Sequence, residues 1–306
     1  MTGYLHPKYA ETLSEFGRPQ VLLRSGGNLL VRKVANTDYQ DAMGCYPLFC
    51  CEDWERLPDD LEDFQDELVS VALVTDPFGN FDIEMLRLCF PDKMFHFKDH
   101  FVVDFSLEDS TKISGNHRRN VDKAMREVVV ERCGPDSTVL EDWVSLYDVL
   151  IKRHNISGLT AFSRGAFEML FKVPGLDVFR AIHQGETVGM TLWLMHNNVS
   201  YYHLGAYSER GYELGASFPI FHTAIEYFRS QALRGLNLGA GAGIGAKQQD
   251  GLSRFKQGWS NATLPVYFCG RIFDRDRYAK IMNETGMSAN DFFPAYRFGE
   301  FQSREA

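Results

Sequence analysis

The sequence predicts a mixed α/β fold of the α+β kind, in which mostly antiparallel strands form sheets that are flanked by helices. Short apolar runs bounded by turn residues alternate along the chain with segments of helical periodicity. A length of 306 residues favours two domains or one large domain. The pattern of the first half recurs coarsely in the second, so we expect two similar domains.

The first half opens with a hairpin signal. Two apolar runs, 20–24 and 28–34, flank Ser25-Gly-Gly, which is typical of two antiparallel strands joined by a tight turn. The other elements predicted for this half are a surface helix or loop (52–67), a strand (68–76) ending in the turn Asp76-Pro-Phe-Gly, a helix (80–90) and a strand (100–105).

The second half opens with a basic segment, 112–126, predicted as a helix capped by Ser114 or Asn116. Three strands joined by tight turns dominate the rest of this half. The predicted elements are a strand (128–133), two helices (139–154 and 163–172), the three strands (176–183, 186–195 and 199–207), a glycine-bracketed loop (211–215), a helix capped by Ser217 (217–229), a strand (236–238), a short helix from Ser253 and a strand (264–273).

Composition restricts the classes of function. A net charge of −9 disfavours a general nucleic-acid binder, although a local basic patch is compatible with it. The six cysteines form no C-x-x-C pair and no histidines stand at zinc spacing, so we expect reduced thiols and no metal site. Without an apolar leader or an apolar run of ~18 residues, the chain is interpreted as cytoplasmic and without a membrane span.

Two glycine-containing segments could approach a ligand. The strand–loop–helix over 201–217 would present helix N–H groups to a phosphate, although the spacing alone favours an ordinary tight turn with a cap. The run 239–245 looks superficially like a dinucleotide-binding fingerprint but lacks the helix and strand that must follow it. Its glycines are interpreted as allowing a close backbone approach to a ligand, or as a flexible loop.

Two groups of cations could meet negative charge. Arg254 and Lys256 flank Phe255 in the segment 250–259 (DGLSRFKQGW), where a lysine could neutralise a phosphate or a developing oxyanion. A solvated lysine on a capped helix is the alternative. The basic segment could hold a phosphorylated substrate or an RNA end, or be an ordinary solvated helix face; its cations include Arg118, Arg119 and Lys123.

The segment 250–259 resembles the C-terminal signature of the Fem-type peptidyltransferases, in which an aromatic–lysine pair precedes a glycine–aromatic pair. The upstream Asn237-Leu-Gly-Ala-Gly, the basic segment 112–126 and Asp76-Pro-Phe are similar to further features of that family. The resemblance implies two tandem GNAT-like domains. Their expected bounds are 1–125, with the tail 274–306 packed back on it, and 126–273, which carries the Phe-Lys signature.

The resemblance also implies a reaction, the transfer of an aminoacyl group from aminoacyl-tRNA, or an acyl group from acyl-CoA, to an amine. Neither donor is a bound cofactor. The expected pyrophosphate loop reads RGYELGA over 210–216, with Glu213 where a glycine belongs. A carboxylate there would repel the pyrophosphate of CoA, whereas the acidic net charge argues against tRNA. A non-catalytic binding module is a third possibility.

The resulting assignments fall into three groups. The catalytic candidates are Lys256, Phe255 and Asp250, of which Asp250 is a candidate base together with Glu213. The donor-binding candidates are Arg254, Tyr207, Arg210, Gly215 and Ala216, and the strand 201–207 is expected to line the cleft. Arg118, Arg119 and Lys123 are candidates for binding the acceptor or a phosphate. The partners expected are a tRNA acceptor end or CoA and a small amine, and no oligomeric state is indicated.

Overall fold

The structure, a computed structural model, describes residues 1–107, 113–241, 251–286 and 291–300. The chain divides into two compact units. The first unit consists of Tyr4–Lys98, Ser157–Thr160 and Pro265–Ala306. The second unit consists of Met1–Gly3, Asp99–Ile156 and Ala161–Leu264.

The described residues form strands and helices in alternation. The strands are β1 (Arg18–Val21), β2 (Asn28–Lys33), β3 (Gln40–Gly44), β4 (Leu68–Val74), β5 (Lys93–Asp104), β6 (Val129–Cys133), β7 (Leu176–His183), β8 (Glu186–His196), β9 (Val199–Tyr207), β10 (Gly235–Gly239) and β11 (Ala262–Ile272). The helices are α1 (Pro7–Glu11), α2 (Leu57–Glu62), α3 (Ile83–Cys89), α4 (Gly115–Ala124), α5 (Ser137–His154), α6 (Arg164–Leu170), α7 (Glu209–Leu214), α8 (Ser217–Ser230), α9 (Gly251–Gln257) and α10 (Arg275–Thr285).

The strands of the first unit pair in a mixed but mostly antiparallel order. β1, β2 and β3 form an antiparallel meander, and the hairpin predicted around Ser25-Gly-Gly is therefore confirmed. β3 pairs with β4 in parallel, and β4 pairs with β11 in antiparallel fashion. A buried apolar cluster that includes Leu29, Val71 and Phe90 lies against this sheet.

The second unit repeats that order with one more strand. β6 to β9 form an antiparallel meander, β9 pairs with β10 in parallel, and β10 pairs with β5 in antiparallel fashion. Asn197 and Asn198, both at positive φ, form the predicted tight turn between β8 and β9. Helix α8 buries Phe221 and Phe228 against Phe179 and Trp193 of the sheet. The mixed, mostly antiparallel fold class is confirmed.

Two expectations around α7 are wrong. The segment expected to be a loop over 211–215 lies largely within α7, because Ser208 caps that helix by accepting the N–H of Gly211. Ser217 is the first residue of α8 and makes no cap. The cap residue of α8 is Ala216, whose side chain has no hydrogen-bond acceptor. Ala216 occupies this position because Gly215 ends α7 at a φ of 67° and the chain enters α8 at once.

The domain boundary expected at residue 125 remains a prediction. Apart from Met1–Gly3, the second unit starts at Asp99 of β5 and includes α4, whereas the described part of the tail belongs to the first unit. No helix among the described residues has the length and apolar character that a membrane crossing requires.

A buried ion pair joins the tail to the first sheet. Arg297 donates Nε and Nη2 to the two carboxylate oxygens of Asp41, at 2.6 and 2.7 Å, and both side chains are buried. Tyr296 donates its hydroxyl to the same carboxylate at 2.9 Å. Such a pair holds its partners in one arrangement because either charge alone would be left in a dry environment.

We expect Arg297→Met to lower the free energy of unfolding by about 3–5 kcal/mol, since the Asp41 carboxylate would lose its counter-ion while still buried. Urea unfolding followed by circular dichroism measures this change. Arg87→Met is the control, because Arg87 forms an exposed pair with Glu84 and should cost less than about 1 kcal/mol. Equal losses in the two variants would contradict the stabilising role of the buried pair.

Candidate functional site

Lys256 lies on α9 in the second unit and is not the solvated lysine that spacing alone favoured. Its side chain is only 6% exposed. The Nζ atom donates to the carbonyl oxygen of Ala240 at 2.7 Å and lies 5.6 Å from the centre of the Tyr202 ring. A backbone carbonyl and an aromatic face both favour an ammonium, and they offset part of the cost of its burial.

The backbone at the end of β10 leaves space for the side-chain nitrogen of Lys256. Gly239 has a φ of 76°, and a Cβ built on it would lie 3.1 Å from Lys256 Nζ. The side-chain oxygen of Asn237 accepts the N–H of Gly239 at 2.8 Å and faces Nδ1 of His100 at 3.0 Å. The chain therefore turns at Gly239, and the carbonyl of Ala240 faces the lysine.

Strand β9 loses one of its two strand partners beside this turn. β10 pairs with β9 only from Gly235 to Asn237, opposite Val199 to Tyr201. From Tyr202 to Tyr207, within the part of the chain that the structure describes, β9 pairs with β8 alone. That the strand 201–207 lines a cleft stays a prediction.

Phe255 lies in a cluster of aromatic rings instead of lining an open cleft. Its ring centre lies 4.8 Å from that of Phe221, 5.3 Å from Phe218 and 6.1 Å from Trp259. Edge-to-face pairs at these distances each contribute ~0.5–1.5 kcal/mol beyond the apolar area they bury. Phe255 therefore anchors α9 to α8, and it is adjacent in sequence to the lysine.

Gly258 completes the signature for a steric reason. The imidazole of His117, on α4, fills the space beside it, and a Cβ at position 258 would lie 2.1 Å from a ring carbon. The ring packs edge-on against Trp259 with centres 4.9 Å apart. Gly258 and Trp259 therefore leave room for the buried ring of His117, a residue of the basic segment 112–126.

The donor-binding candidates around α7 lie in different environments. Arg210 is exposed and pairs with Glu213 at 2.9 Å, so this carboxylate already has a cation beside it. Gly215 and Ala216 form the junction between α7 and α8, with Ala216 buried. Tyr207 is buried at the end of β9, and its hydroxyl has no hydrogen-bond partner among the described residues.

The cations of the basic helix stay in solvent. Ser114 is the cap of α4, as one of the two alternatives predicted, and the exposed face of α4 carries Arg118, Arg119 and Lys123. Arg254 is also exposed. Asp250 and Lys112 lie outside the described residues. The structure thus brings Lys256 and Phe255 into the core of the second unit and leaves the other cations on its surface.

Burial changes the acid–base properties of three side chains on β9. It raises the pKa of both Tyr202 and Tyr207 above the usual range of a phenol, so each remains a neutral hydroxyl. It lowers the pKa of His203 to about 3. At neutral pH these three side chains are uncharged.

Sequence reasoning missed Tyr202 and the separate role of His117. Tyr202 lies in a strand with several aromatic residues, and nothing in the sequence pattern shows that this one contacts Lys256. The glycine before Trp259 was the available signal for His117, because a glycine within a helical segment often marks a close approach.

Residues 112–257 match the acetyltransferase (GNAT) domain family. The site around Lys256 lies almost entirely within that range. This part of the chain therefore has the character of a GNAT domain. No curated protein matches it in sequence.

Among solved structures, FemX aligns with a TM-score of 0.66 at 14% identity, over 90% of this chain and 93% of that chain. L-PGS from Bacillus licheniformis aligns with a TM-score of 0.61 at 15% identity, over 90% and 94%. The C-terminal DUF2156 domain assigned as a lysylphosphatidylglycerol synthetase from Agrobacterium fabrum gives a TM-score of 0.62 at 13% identity, over 92% and 93%. At these identities the likeness is one of fold.

We expect Gly258→Ala to lower the free energy of unfolding by about 1–3 kcal/mol, because the new methyl group collides with the His117 ring. Thermal and urea unfolding measure the loss. Gly251→Ala, at the first residue of α9, is the matched control, since a Cβ there meets no atom of the described residues within 4 Å. It should be neutral or slightly stabilising. Equal stability of the two variants would show that the imidazole does not fill this space.

Proposed function

We propose that this acyltransferase moves an aminoacyl group from aminoacyl-tRNA to the amine of a small-molecule or peptidoglycan-precursor-like acceptor, forming an amide. The observation that carries the proposal is the buried side chain of Lys256 beside the part of β9 that pairs, among the described residues, with β8 alone. A fixed cation next to strand N–H groups suits a reaction in which negative charge develops on oxygen.

The reaction balances without a further reactant. The amine nitrogen attacks the carbonyl carbon of the aminoacyl ester, a C–N bond forms, and the C–O bond to the terminal ribose breaks. The amine loses one proton and the departing ribose oxygen gains one. Negative charge is carried first by the carbonyl oxygen and then by the leaving oxygen, and Lys256 would stabilise either.

Different parts of the site would bind different parts of the donor. The N–H groups of β9 beyond Tyr201 would polarise the donor carbonyl, and the Tyr207 hydroxyl would give the donor a hydrogen bond. The exposed cations of α4, Arg118, Arg119 and Lys123, would contact phosphates of the donor or acceptor. Phe255 would act by holding α9 in place, and Arg254, Gly215, Ala216 and Asp250 remain candidates.

An acyl-CoA donor is the second candidate, favoured by the match to the acetyltransferase (GNAT) domain family. The segment 210–216, which forms most of α7 and its junction with α8, weighs against it, because Glu213 stands where a pyrophosphate would need a neutral backbone, although Arg210 partly neutralises that carboxylate. An aminoacyl ester of a ribose needs no pyrophosphate site, and the aminoacyl-tRNA donor is therefore our first choice.

One assay separates the candidates. The protein is incubated with candidate amines and either a labelled mixture of aminoacyl-tRNAs or a panel of acyl-CoA thioesters, and the labelled amide is detected. We expect label from aminoacyl-tRNA. Label from CoA alone would replace the first candidate by the second. No label from either donor, with the fold intact by circular dichroism, would indicate a non-catalytic binding module.

We expect Lys256→Met to reduce kcat by about 100- to 1000-fold, the usual effect of removing a group that stabilises an oxyanion. Methionine is preferable to alanine because the lysine is buried and alanine would leave a cavity. Lys256→Arg should retain part of the activity. Lys172→Met, at an exposed lysine of the same unit, is the control, and a normal kcat in Lys256→Met would remove this lysine from the mechanism.

Tyr207→Phe should separate stability from binding. The hydroxyl is buried without a partner among the described residues, so its removal should leave the melting temperature unchanged or slightly higher. If the donor takes a hydrogen bond from it, KM for the donor should rise about threefold to tenfold, corresponding to ~0.5–1.5 kcal/mol. An unchanged KM would remove Tyr207 from the donor site.

A further inference from the structure

A buried imidazole that the proposed chemistry does not use lies between α4 and α9. His117 is 6% exposed although its neighbours Arg118 and Arg119 are in solvent. We propose that His117 is a positioning residue for Lys256, holding the backbone of α9 so that the ammonium stays at the end of β10. This inference rests on the proposed function for its effect on rate.

The hydrogen bonds of the ring define its role. Nε2 lies 2.9 Å from the carbonyl oxygen of Phe255, the residue immediately before the lysine, and Nδ1 lies 2.8 Å from Oγ of Ser114. A carbonyl only accepts, so Nε2 carries the proton and donates. Nδ1 of the neutral ring then accepts the Ser114 hydroxyl. Both ring nitrogens are therefore used within the protein.

His117 donates to the carbonyl of Phe255, which lies in the last turn of α9, where the helix does not supply its own N–H donors. The last carbonyls of a helix lack partners within the helix. In α9, Arg254 O accepts the N–H of Gly258, and Lys256 O accepts those of Trp259 and Ser260. The Phe255 carbonyl between them is the one that faces the imidazole. A second bond, from Ser114 N–H to Gly258 O at 3.1 Å, ties the same turn to the start of α4.

Helix α4, to which α9 is hydrogen-bonded, packs against the core of the second unit. Helix α4 buries Val121 and Ala124 in the core of the second unit. The imidazole is enclosed by edge-to-face contacts with Phe218 and Trp259, whose ring centres lie 5.1 and 4.9 Å away. Burial lowers the pKa of His117, which preserves the neutral ring that accepts at Nδ1. Lys256 is thus held at two points. His117 bonds the backbone next to it, and the carbonyl of Ala240 accepts its Nζ.

The test compares variants that keep or lose the bond to Phe255. His117→Phe keeps the ring and loses both hydrogen bonds. His117→Gln places an amide nitrogen near the position of Nε2, whereas the amide of His117→Asn corresponds to Nδ1 and falls short of the carbonyl. His183→Phe is the matched control, because His183 is also buried and its Nδ1 faces a backbone carbonyl, that of Glu127, at 2.7 Å.

Two readouts are measured on each full-length variant: the kcat and KM of transfer, and the rate at which acetic anhydride acylates Lys256, read by mass spectrometry. His117→Phe and His117→Asn should lower kcat about 10- to 100-fold with little change in KM, as expected for a displaced group. They should also raise acylation of Lys256 severalfold. His117→Gln should recover most of both, and His183→Phe should change neither.

Unchanged kcat and unchanged acylation of Lys256 in His117→Phe would overturn the inference. If His117→Phe does not fold, the same kcat and the same acylation rate in His117→Gln and His117→Asn would overturn it. If labelling rises in His117→Phe and Asn but no protein transfers an acyl group from either donor, the positioning role stands and the proposed function fails. If Lys256→Met abolishes transfer while His117→Phe does not alter it, the function stands and the positioning role fails.

Discussion

The site of this protein depends on one buried cation, the ammonium of Lys256 at the carboxyl end of β10. Taking such a charge out of water is unfavourable unless polar groups are arranged around it in advance. The structure supplies the carbonyl of Ala240 and the face of Tyr202. The left-handed turn at Gly239, the helix α9 and the aromatic rings that hold it all serve this requirement.

The sheet of the second unit places that cation beside backbone groups that can act with it. β10 leaves β9 after Asn237, while β9 continues to Tyr207 with β8 as its described partner. Catalysis by fixed dipoles needs little rearrangement at the moment of reaction, because the donors are already aimed. Burial keeps Tyr202, Tyr207 and His203 uncharged at neutral pH, so these three side chains add no charge to this part of the strand.

The pattern of the sequence predicted most strands and most helices, since apolar periodicity and turn residues are local properties, but it missed β3 and α1. It failed at α7 and at the cap of α8, where Ser208 and Gly215 decide the boundaries in a segment that glycines alone marked as a loop. Lys256 and Phe255 were singled out by resemblance, but their surroundings could not be predicted. Lys256 lies against Tyr202 of β9, and the partly buried Phe255 packs against rings from α4 and α8. Tyr202 and His117 contact the signature only through tertiary packing.

The most direct test of this account is a crystal structure of the protein with a stable donor analogue, an adenosine that carries an aminoacyl group in amide linkage at its 3′ position. We predict that the carbonyl oxygen of the analogue lies about 3 Å from Lys256 Nζ, at hydrogen-bonding distance. The carbonyl should also face the N–H groups of β9 beyond Tyr201. An analogue bound elsewhere, with Lys256 still directed only at Ala240, would contradict the central role of this lysine.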